Sequence, residues 1–320
     1  MTSVTVRVPA KVNLQLSVGP PRDDGYHDLV NVFHAVSLFD EVTASDDLSV
    51  LPGDLVGGVV SEQVTIMVGV EGESADQVPV DASNLAVKAA FALAERAGRP
   101  VSARLLIRKA IPVAGGMAGG SADAAAALVA CDELWGLGLP RQELMEIAAG
   151  LGSDVPFALL GDTAVGTGRG EMLVPAPVTG RFHWVFALAE GGLSTARVYA
   201  ECDRLREATG EQVAWPQADE GLMEALSAGD AETLGKTLSN DLQPAALMLC
   251  RPLARTLEAG REHGALGALV SGSGPTCAFL AESDTHAASL AMAMEVAGVC
   301  RSAVTAFGPV PGATIVRPLP

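Results

Sequence analysis

The segment Ile111 to Ala127 constrains the fold of this chain more than any other stretch of its sequence. It reads IPVAGGMAGGSADAAAA, so that four glycines and a serine stand directly before a run of strong helix formers. Glycine permits positive φ and the close approach of a ligand, and the first turn of the helix offers unpaired N–H groups at the positive end of its dipole. A phosphate group is the expected ligand of such a loop.

The loop differs from the two best-known glycine-rich phosphate patterns. No Lys-Ser or Lys-Thr pair follows Gly120, and the glycines do not stand in GxGxxG register. A second stretch, Gly229 to Thr237, ends in Gly-Lys-Thr, but five residues separate its first glycine from that tripeptide, and helical patterns flank it. Because a P-loop has four intervening residues and follows a buried strand, we reject this stretch as a nucleotide site.

Composition and charge exclude several classes of protein. The 320 residues, 49% hydrophobic and 18% charged, suffice for two hydrophobic cores. A net charge of −17 argues against a partner rich in phosphates such as nucleic acid, which needs clustered Lys and Arg. Five cysteines without a CxxC pair indicate free thiols in a reducing compartment, and no apolar stretch reaches the roughly 20 residues of a membrane span. We expect a cytoplasmic protein that binds neither nucleic acid nor a membrane.

The order of the predicted elements favours an α+β fold. Strands are predicted over 4–8, 13–18, 29–43, 63–70, 101–110, 183–189, 265–270 and 276–281, with further strands at the C-terminus. Helices are predicted over 84–97 with Ser83 as the N-cap, over 121–135, 140–149 and 154–160, from 194, within 220–263 and over 283–296. Strands and helices do not alternate regularly, which disfavours a doubly wound sheet. A turn over 161–171 separates the predicted domains 1–161 and 162–320.

Three further strings carry residues suited to chemistry. In VPAKVNLQL, Lys11 and Asn13 stand two apart on a strand and therefore face the same side, so the lysine belongs either to a site or to a solvated sheet edge. In DGYHDL, Tyr26 and His27 suit the stacking and hydrogen bonding of a base, or simply a turn with a half-buried histidine. In GSDVPF, Asp154 is either a carboxylate for catalysis or a helix N-cap.

The combination favours a catalytic role over these alternatives. A phosphate loop together with a lysine, a carboxylate and an aromatic-histidine pair is what phosphoryl transfer to a hydroxyl on a base-bearing substrate needs.

At this point the chain resembles the GHMP kinases. The matching strings are spread in order over nearly all of the chain: PAKVNLQL, DGYHDL, IPVAGGMAGGSADAA, LGSDVPFAL, NDLQPAA at 240–246 and SGSGPTCAF at 271–279. The resemblance implies a two-domain α+β fold, with a ribosomal protein S5-like N-terminal domain, a ferredoxin-like C-terminal domain and the active site between them. It also implies ATP as co-substrate with Mg²⁺, and a monomer or homodimer.

The strings DGYH and GSDVPF narrow the resemblance to kinases of a cytidine diphosphate derivative of methylerythritol, in the non-mevalonate route to isoprenoid precursors. The γ-phosphoryl group of ATP would pass to the 2-hydroxyl of the erythritol moiety. Carried over by position, Asp154 orients or deprotonates that hydroxyl, Lys11 stabilises the developing charge and Asn13 fixes the sugar-alcohol chain. The resemblance likewise implies that Tyr26 and His27 read the cytosine, with Tyr199 as a second stacking face.

The same resemblance places ATP on the glycine loop and on the SGSGP string, with Ser121 as a contact of Mg²⁺. The implied ATP-binding residues are Pro112, Val113, Ala114, Gly115, Gly116, Met117, Ala118, Gly119, Gly120, Ser121, Ala122, Gly272 and Ser273. The family's loop usually reads GLGGGSSDAA, so Met117-Ala118 replaces Leu-Gly and Ala122 replaces the second serine. If position 118 requires positive φ, its alanine is strained.

Two alternatives follow from the same residues. Another GHMP enzyme, such as homoserine or mevalonate kinase, would share the loop but have no need for a cytosine pocket at Tyr26 and His27. A nucleotide-binding regulatory protein would keep the loop and lack Lys11 or Asp154, whereas this chain has both.

Overall fold

The computed structural model describes residues 2–49, 56–210 and 212–317, which form two β-sheets with helices packed against them. The elements of the first part of the chain are β1 (Ser3–Pro21), β2 (His27–Ser45), β3 (Val56–Val60), β4 (Val64–Gly72), α1 (Leu85–Ala97), β5 (Val101–Lys109), α2 (Gly119–Trp135), α3 (Arg141–Leu151), α4 (Val155–Leu160), β6 (Thr163–Thr167) and β7 (Met172–Pro175). Those of the second part are β8 (Phe182–Leu188), α5 (Thr195–Thr209), α6 (Glu220–Ala228), α7 (Ala231–Thr237), β9 (Ser239–Asn240), α8 (Gln243–Leu249), α9 (Pro252–Glu262), β10 (Gly267–Val270), β11 (Cys277–Ala281), α10 (Asp284–Val296), β12 (Ser302–Gly308) and β13 (Thr314–Ile315).

The larger sheet has the strand order β13-β1-β2-β5-β4-β3, with β6 and β7 attached to β2 and β9 attached to β1. Helix α2 packs on β1 and β2 and is itself covered by α1. Its alanines from Ala124 to Ala127 are completely buried. Because these side chains are small, the helix lies close to the sheet, and the loop before it is held near the middle of β1.

The smaller sheet has the order β10-β11-β8-β12 and is antiparallel throughout. Along the chain it is built as a strand, a helical segment, two strands, a helix and a strand, which is the βαββαβ order of ferredoxin-like domains. Its core centres on Phe279, which is fully buried beneath α9 and α10. The α+β class expected from the sequence is confirmed.

Several local predictions are refined by the structure. The two strands predicted over 4–8 and 13–18 are one strand, β1, whose pairing with β2 shifts register between Pro9 and Ala10 and again after Asn13. A proline cannot donate to the ladder, so the strand accommodates it with a bulge instead of ending there. The N-cap of α1 is Asn84 and not Ser83, because the Asn84 side chain accepts a hydrogen bond from Ala86 N at 2.8 Å.

Residues 161–171, predicted as a turn, contain β6, which pairs with both β2 and β7. The prediction missed this strand because it is short and contains Gly166. The larger sheet thus includes strands on both sides of residue 161, and the division of the chain there stays a prediction.

From the sequence we reject Gly229 to Thr237 as a phosphate loop, and the structure agrees. Asp230 caps helix α7, and Gly235, Lys236 and Thr237 belong to that helix. In the described ranges, none of the helices combines the length and the apolar character needed to cross a bilayer.

Candidate active site

A cleft of about 1000 Å³ lies between the two sheets. One wall comes from β1, β2, the glycine loop and the start of α4, and the other comes from α5 and the loop after β10. All six residues predicted for catalysis and substrate binding line this one cleft: Lys11, Asn13, Tyr26, His27, Asp154 and Tyr199. Tertiary structure therefore brings together side chains that are up to 188 positions apart in the sequence.

Lys11 lies at the centre of the cleft floor and is buried. Its Nζ donates hydrogen bonds to Asn13 Oδ1 at 2.7 Å and to Gly116 O at 3.0 Å, and it lies 3.7 Å from Asp154 Oδ2. Burial lowers the pKa of Lys11 from its ordinary value, and the Asp154 carboxylate opposes that shift. The alternative of a solvated sheet edge is wrong, because a lysine at such an edge would extend into water.

Asp154 immediately precedes α4, but its side chain makes no capping hydrogen bond to the helix. A cap would bind the N–H of the second or third helical residue, and the second residue of α4 is Pro156, which has no N–H. The carboxylate is instead partly exposed in the cleft and faces Lys11. The interpretation of Asp154 as a simple N-cap is therefore wrong.

Asn13 is fixed by a residue that the sequence did not indicate. Its Nδ2 donates to Asn31 Oδ1 at 2.8 Å, so that its Oδ1 faces the Lys11 ammonium. Asn31 lies on β2, close to the position opposite Asn13 on β1, and cross-strand pairing is the signal that would have revealed it.

The glycine loop is held in a conformation that most residue types avoid. Gly116 has a φ of 76°, and a Cβ there would collide with Ser271 O. Ala114 and Ala118 also have positive φ, at 53° and 61°, so the strain expected at position 118 is present. By contrast, a Cβ on Gly120 would meet only Leu85 Cδ1 at 3.7 Å, so its backbone is open to a ligand from the cleft.

Most of the loop residues predicted to bind ATP line the cleft, but three do not. Val113, Met117 and Ala122 lie outside it, and the last two side chains are buried in the core. Met117 is turned towards β1, where its carbonyl accepts a hydrogen bond from Lys11 N at 3.3 Å. The Met117 and Ala122 side chains thus pack in the core instead of facing the cleft, and a nucleotide contact of these three residues stays a prediction.

The loop after β10 contributes Gly272 and Ser273 to the opposite wall, as the SGSGP string predicted. Ser271 Oγ donates to Gly116 O at 3.2 Å, which ties this loop to the glycine loop. Gly272 has a φ of 54°, and a Cβ there would lie 3.2 Å from Lys11 Nζ. Its missing side chain leaves room for the ammonium.

A buried cluster of three charged residues lies beneath the glycine loop. Lys109 Nζ contacts Asp40 Oδ2 and lies 2.7 Å from Asp123 Oδ2, while Asp40 Oδ1 accepts from the N–H groups of Ala110 and Ile111. Asp123 Oδ1 is buried without a hydrogen-bond partner. Burial is the main reason that the pKa of Asp123 rises to about 8.

The far end of the cleft is lined by aromatic rings. Tyr26 is 54% exposed, and the guanidinium of Arg169 lies 5.3 Å from the centre of its ring. His27 is buried at the start of β2, with the ring of Tyr199 at 5.4 Å and Asp203 Oδ1 at 2.9 Å from its Nε2. Burial raises the pKa of Tyr199 above its ordinary range.

Arg169 and Asp203 are cleft residues that sequence reasoning missed. Asp203 stands four residues after Tyr199 on α5, a spacing that puts both on one face of the helix and that could have revealed it. Arg169 lies between two glycines, Gly168 and Gly170, in the turn from β6 to β7. Nothing local distinguishes it from a surface arginine.

Comparisons with known proteins agree with this geometry. The family described as GHMP kinases N terminal domain matches residues 84–162, and the family described as GHMP kinases C terminal matches residues 222–298. Proteins named 4-diphosphocytidyl-2-C-methyl-D-erythritol kinase from Thermobifida fusca and Streptomyces avermitilis are 61% and 56% identical to this chain. Each match covers 98% of this chain, and it covers 99% and 100% of the respective relative.

Solved structures agree as well. A crystal structure of 4-(cytidine 5'-diphospho)-2C-methyl-D-erythritol kinase matches with a TM-score of 0.71 and 32% identity, over 94% of this chain and 98% of the other. A homoserine kinase from Cytophaga hutchinsonii also has a TM-score of 0.71, but its identity of 19% shows a common fold alone. The chain belongs to the GHMP kinase family, within its group of 4-diphosphocytidyl-2-C-methyl-D-erythritol kinases.

Proposed function

We propose that this chain transfers the γ-phosphoryl group of ATP to the 2-hydroxyl of 4-diphosphocytidyl-2-C-methyl-D-erythritol. The observation that carries the proposal is the position of Lys11 Nζ, 3.7 Å from Asp154 Oδ2 and 3.0 Å from the carbonyl of Gly116 in the glycine loop. An ammonium, a carboxylate and a phosphate loop thus meet at one place, as transfer to a hydroxyl requires. The full-length relatives support this substrate over homoserine or mevalonate.

In the proposed reaction Asp154 and Lys11 have separate roles. The Asp154 carboxylate accepts the hydroxyl proton as the bond from that oxygen to the γ-phosphorus forms and the bond to the β–γ bridging oxygen breaks, which releases ADP. The Lys11 ammonium stabilises the negative charge on the transferring group. Because such transition states are loose, positioning and electrostatics contribute more than base strength.

The nucleotide phosphates are proposed to lie on the glycine loop. Gly119, Gly120 and Ser121 are the first three residues of α2, and their N–H groups have no acceptor within the helix. Together with the helix dipole they form a site for anions. Most other loop residues and those of the loop after β10 complete this end of the cleft.

The phosphate end of the cleft suits Mg²⁺ only when the nucleotide is bound as well. In the described part of the chain, no three His, Cys, Asp or Glu side chains are grouped so as to hold a metal ion. Ser121 lines the cleft and offers a hydroxyl oxygen, which suits a cation that takes most of its ligands from phosphates and water. When bound, the ion would neutralise phosphate charge.

The cytidine end of the substrate is proposed to lie among Tyr26, His27 and Tyr199, where rings can stack on the base. The diphosphate of this substrate is anionic and needs a cation. Among the described residues that line the cleft, Lys11 is the lysine and Arg169 is the arginine. Arg169, beside Tyr26, is placed to bind the diphosphate, whereas Lys11 serves the reacting hydroxyl.

We further propose that the protein works in the cytoplasm. All five cysteines are free thiols, and Cys131, Cys202 and Cys277 are buried, which suits a reducing compartment.

The test is an ADP-release assay with the purified protein and three acceptors: 4-diphosphocytidyl-2-C-methyl-D-erythritol, homoserine and mevalonate. We expect turnover of the first alone. Asp154→Asn should lower kcat by about 10²-fold or more and leave nucleotide affinity nearly unchanged. Asp76→Asn, an exposed control of the same charge change, should behave as wild type. Activity with homoserine only, or equal loss of turnover and affinity in Asp154→Asn, would contradict the proposal.

A further inference from the structure

A hydrogen bond between the two halves of the molecule fixes the imidazole ring of His27. His27 begins β2 of the larger sheet, and Asp203 lies on α5, which packs with the smaller sheet's helices. The two side chains meet at 2.9 Å between Nε2 and Oδ1. The His27 side chain is 5% exposed and the Asp203 side chain is 37% exposed, so the bond joins a buried imidazole to a carboxylate at the surface.

The second contact of the ring restricts its plane. Tyr199, one helical turn before Asp203, places its ring centre 5.4 Å from that of His27 at an interplanar angle of 31°. A ring that is bonded at one nitrogen and covered on one face keeps a single orientation. The imidazole is therefore a preorganised group and not a mobile side chain.

The bond also decides which ring nitrogen carries the proton. A carboxylate only accepts hydrogen bonds, so Nε2 must donate, and in the neutral imidazole Nδ1 is then an acceptor with a free lone pair. His27 Nδ1 has no hydrogen-bond partner among residues 2–49, 56–210 and 212–317. His27 lines the cleft beside Tyr26, where the base of the substrate is proposed to lie.

An acceptor at this place distinguishes the two pyrimidine bases. Cytosine presents an exocyclic amino group, which donates, whereas uracil presents a carbonyl oxygen in the same position. An amino group can bond to the lone pair of Nδ1. A carbonyl oxygen there would leave two acceptors facing each other, and a site built for a hydrogen bond rejects an analogue that cannot make it.

We propose that Asp203 is a positioning residue that holds His27 in the Nε2–H tautomer and thereby selects a cytosine over a uracil in the substrate. The inference rests on the function proposed above, since it concerns the base of that substrate. Asp203 acts through His27 and needs no contact with the substrate itself.

The decisive variant is Asp203→Asn, because an amide can donate to Nε2 and so permits the opposite tautomer, with a proton on Nδ1. We would measure kcat and KM for 4-diphosphocytidyl-2-C-methyl-D-erythritol and for its uridine counterpart, with KM for ATP alongside. Wild type should prefer the cytidine compound by about 100-fold in kcat/KM. Asp203→Asn should narrow this preference to less than about 10-fold, mainly by raising KM for the cytidine compound, with KM for ATP unchanged.

The matched control is Glu201→Gln, on the same helix and with the same change of charge. Glu201 pairs with Arg204 and does not line the cleft, so the preference should stay at its wild-type value. Asp203→Ala removes the carboxylate without adding the amide of asparagine. It should also reduce the preference for the cytidine compound over the uridine compound. Circular dichroism verifies that each variant is folded.

A second readout observes the tautomer directly. Nitrogen-15 NMR of ring-labelled histidine in the free protein should show protonated Nε2 and unprotonated Nδ1 at His27, and this pattern should change in Asp203→Asn and Asp203→Ala. A proton on Nδ1 in wild type, or an unchanged base preference in both variants, would overturn the proposal. If wild type did not use the cytidine compound at all, the proposed function would fail, and the NMR result would still decide whether Asp203 sets the tautomer.

Discussion

At the scale of single residues, the loop tolerates two alanines in a backbone region that favours glycine. Ala114 and Ala118 have φ values of 53° and 61°. The left-handed conformation costs an L-residue about 1–2 kcal/mol, which the surrounding contacts must outweigh. Ala118 is the residue directly before α2, and its carbonyl accepts the first bond of the helix from Ala122 N at 2.9 Å. The strain therefore lies where the phosphate loop becomes a helix.

Relieving this strain should stabilise the protein. We expect Ala118→Gly to raise the free energy of unfolding by up to about 1 kcal/mol, since the strain removed exceeds the extra entropy that glycine loses on folding. Ala122→Gly, in the right-handed first turns of α2, should instead lower it by about 1 kcal/mol. Denaturant unfolding measures both, and a loss of stability in Ala118→Gly would show that position 118 is not strained.

Lys11 provides a second prediction at this scale. Lys11→Met keeps the length of the side chain but removes the charge, so kcat should fall by about 10²–10³-fold while the protein stays folded. Lys236→Met, an exposed lysine paired with Glu232, is the control and should retain full activity. A rise in KM for ATP without a fall in kcat would mean that Lys11 binds ground-state nucleotide and does not stabilise the reacting group.

The same lysine predicts a pH dependence. Because burial lowers the pKa of Lys11, its ammonium is lost as pH rises through a value below that of an exposed lysine, near 10.4. We expect kcat to fall with rising pH at a pH below the ordinary lysine pKa. In a Lys11→Arg variant with measurable activity, this alkaline fall in kcat should disappear. An alkaline limb at or above the ordinary value would contradict the assignment.

At the scale of elements, the buried cluster of Asp40, Lys109 and Asp123 joins β2, β5 and α2 beneath the loop. Burial lowers the pKa of Lys109, but Asp123 and Asp40 outweigh this effect and raise it overall. Burial, with a smaller effect of the neighbouring Asp40 carboxylate, raises the pKa of Asp123 to about 8, so Asp123 keeps its proton below that pH. The cluster fixes the end of β5 and the first turns of α2 relative to each other, and thus the loop between them.

The cluster should make stability depend on pH. The pKa of Asp123 is about 8 in the folded protein, against roughly 3.9 when unfolded, so the folded state keeps a proton that the unfolded state releases between these values. The stabilising effect is complete below about pH 4 and is lost as pH rises through 8, with a slope of up to about 1.4 kcal/mol per pH unit.

Asp123→Asn should flatten this slope, because the amide is neutral at every pH. The measurement is denaturant unfolding from pH 5 to 8.5, with the exposed Asp76→Asn as the control that keeps the wild-type slope. If the slope is the same in wild type and Asp123→Asn, the cluster does not hold the proton.

At the scale of the whole molecule, the cleft depends on contacts that join the two sheets. Strand β9 pairs with β1 of the larger sheet, and its Asn240 donates to Val270 O at 2.7 Å and to Gly272 O at 2.8 Å in the smaller one. Asp241 accepts a bond from Val18 N at 2.8 Å. These bonds fix the loop after β10 against Lys11 and the glycine loop, although β9 has only two residues.

Removing the hydrogen bonds of Asn240 should weaken ATP binding more than it slows phosphoryl transfer. Asn240→Ala leaves two carbonyls without their donor, so the free energy of unfolding should fall by about 1–3 kcal/mol and KM for ATP should rise more than kcat falls. Ser239→Ala, its exposed neighbour, should leave both quantities unchanged. Unfolding and steady-state kinetics of the pair measure the effect, and an unaltered KM for ATP would show that the loop is held by other contacts.

The parts of the fold predicted correctly are those with local causes. The helix after the glycine loop, the end of α1 at Gly98 and the rejection of Gly229 to Thr237 all follow from residue types close together in sequence. The errors have non-local causes. Strand β6 is short and forms because β2 is available for pairing, and β1 continues through Pro9 because its partner accommodates a bulge.

The sequence by itself determined the glycine loop, the mixed α+β class and the candidate residues for catalysis. Backbone freedom, hydrophobic periodicity and residue chemistry are properties of short stretches of sequence, and the motifs match a known family. Only the tertiary structure decided that Lys11 is buried against Asp154, that Met117 and Ala122 face the core, and that Asp203 reaches His27. These facts depend on how helices pack on sheets and which distant side chains then share one desolvated cleft. Contacts of that kind are set by the packing of the whole chain, so no short stretch of sequence contains them.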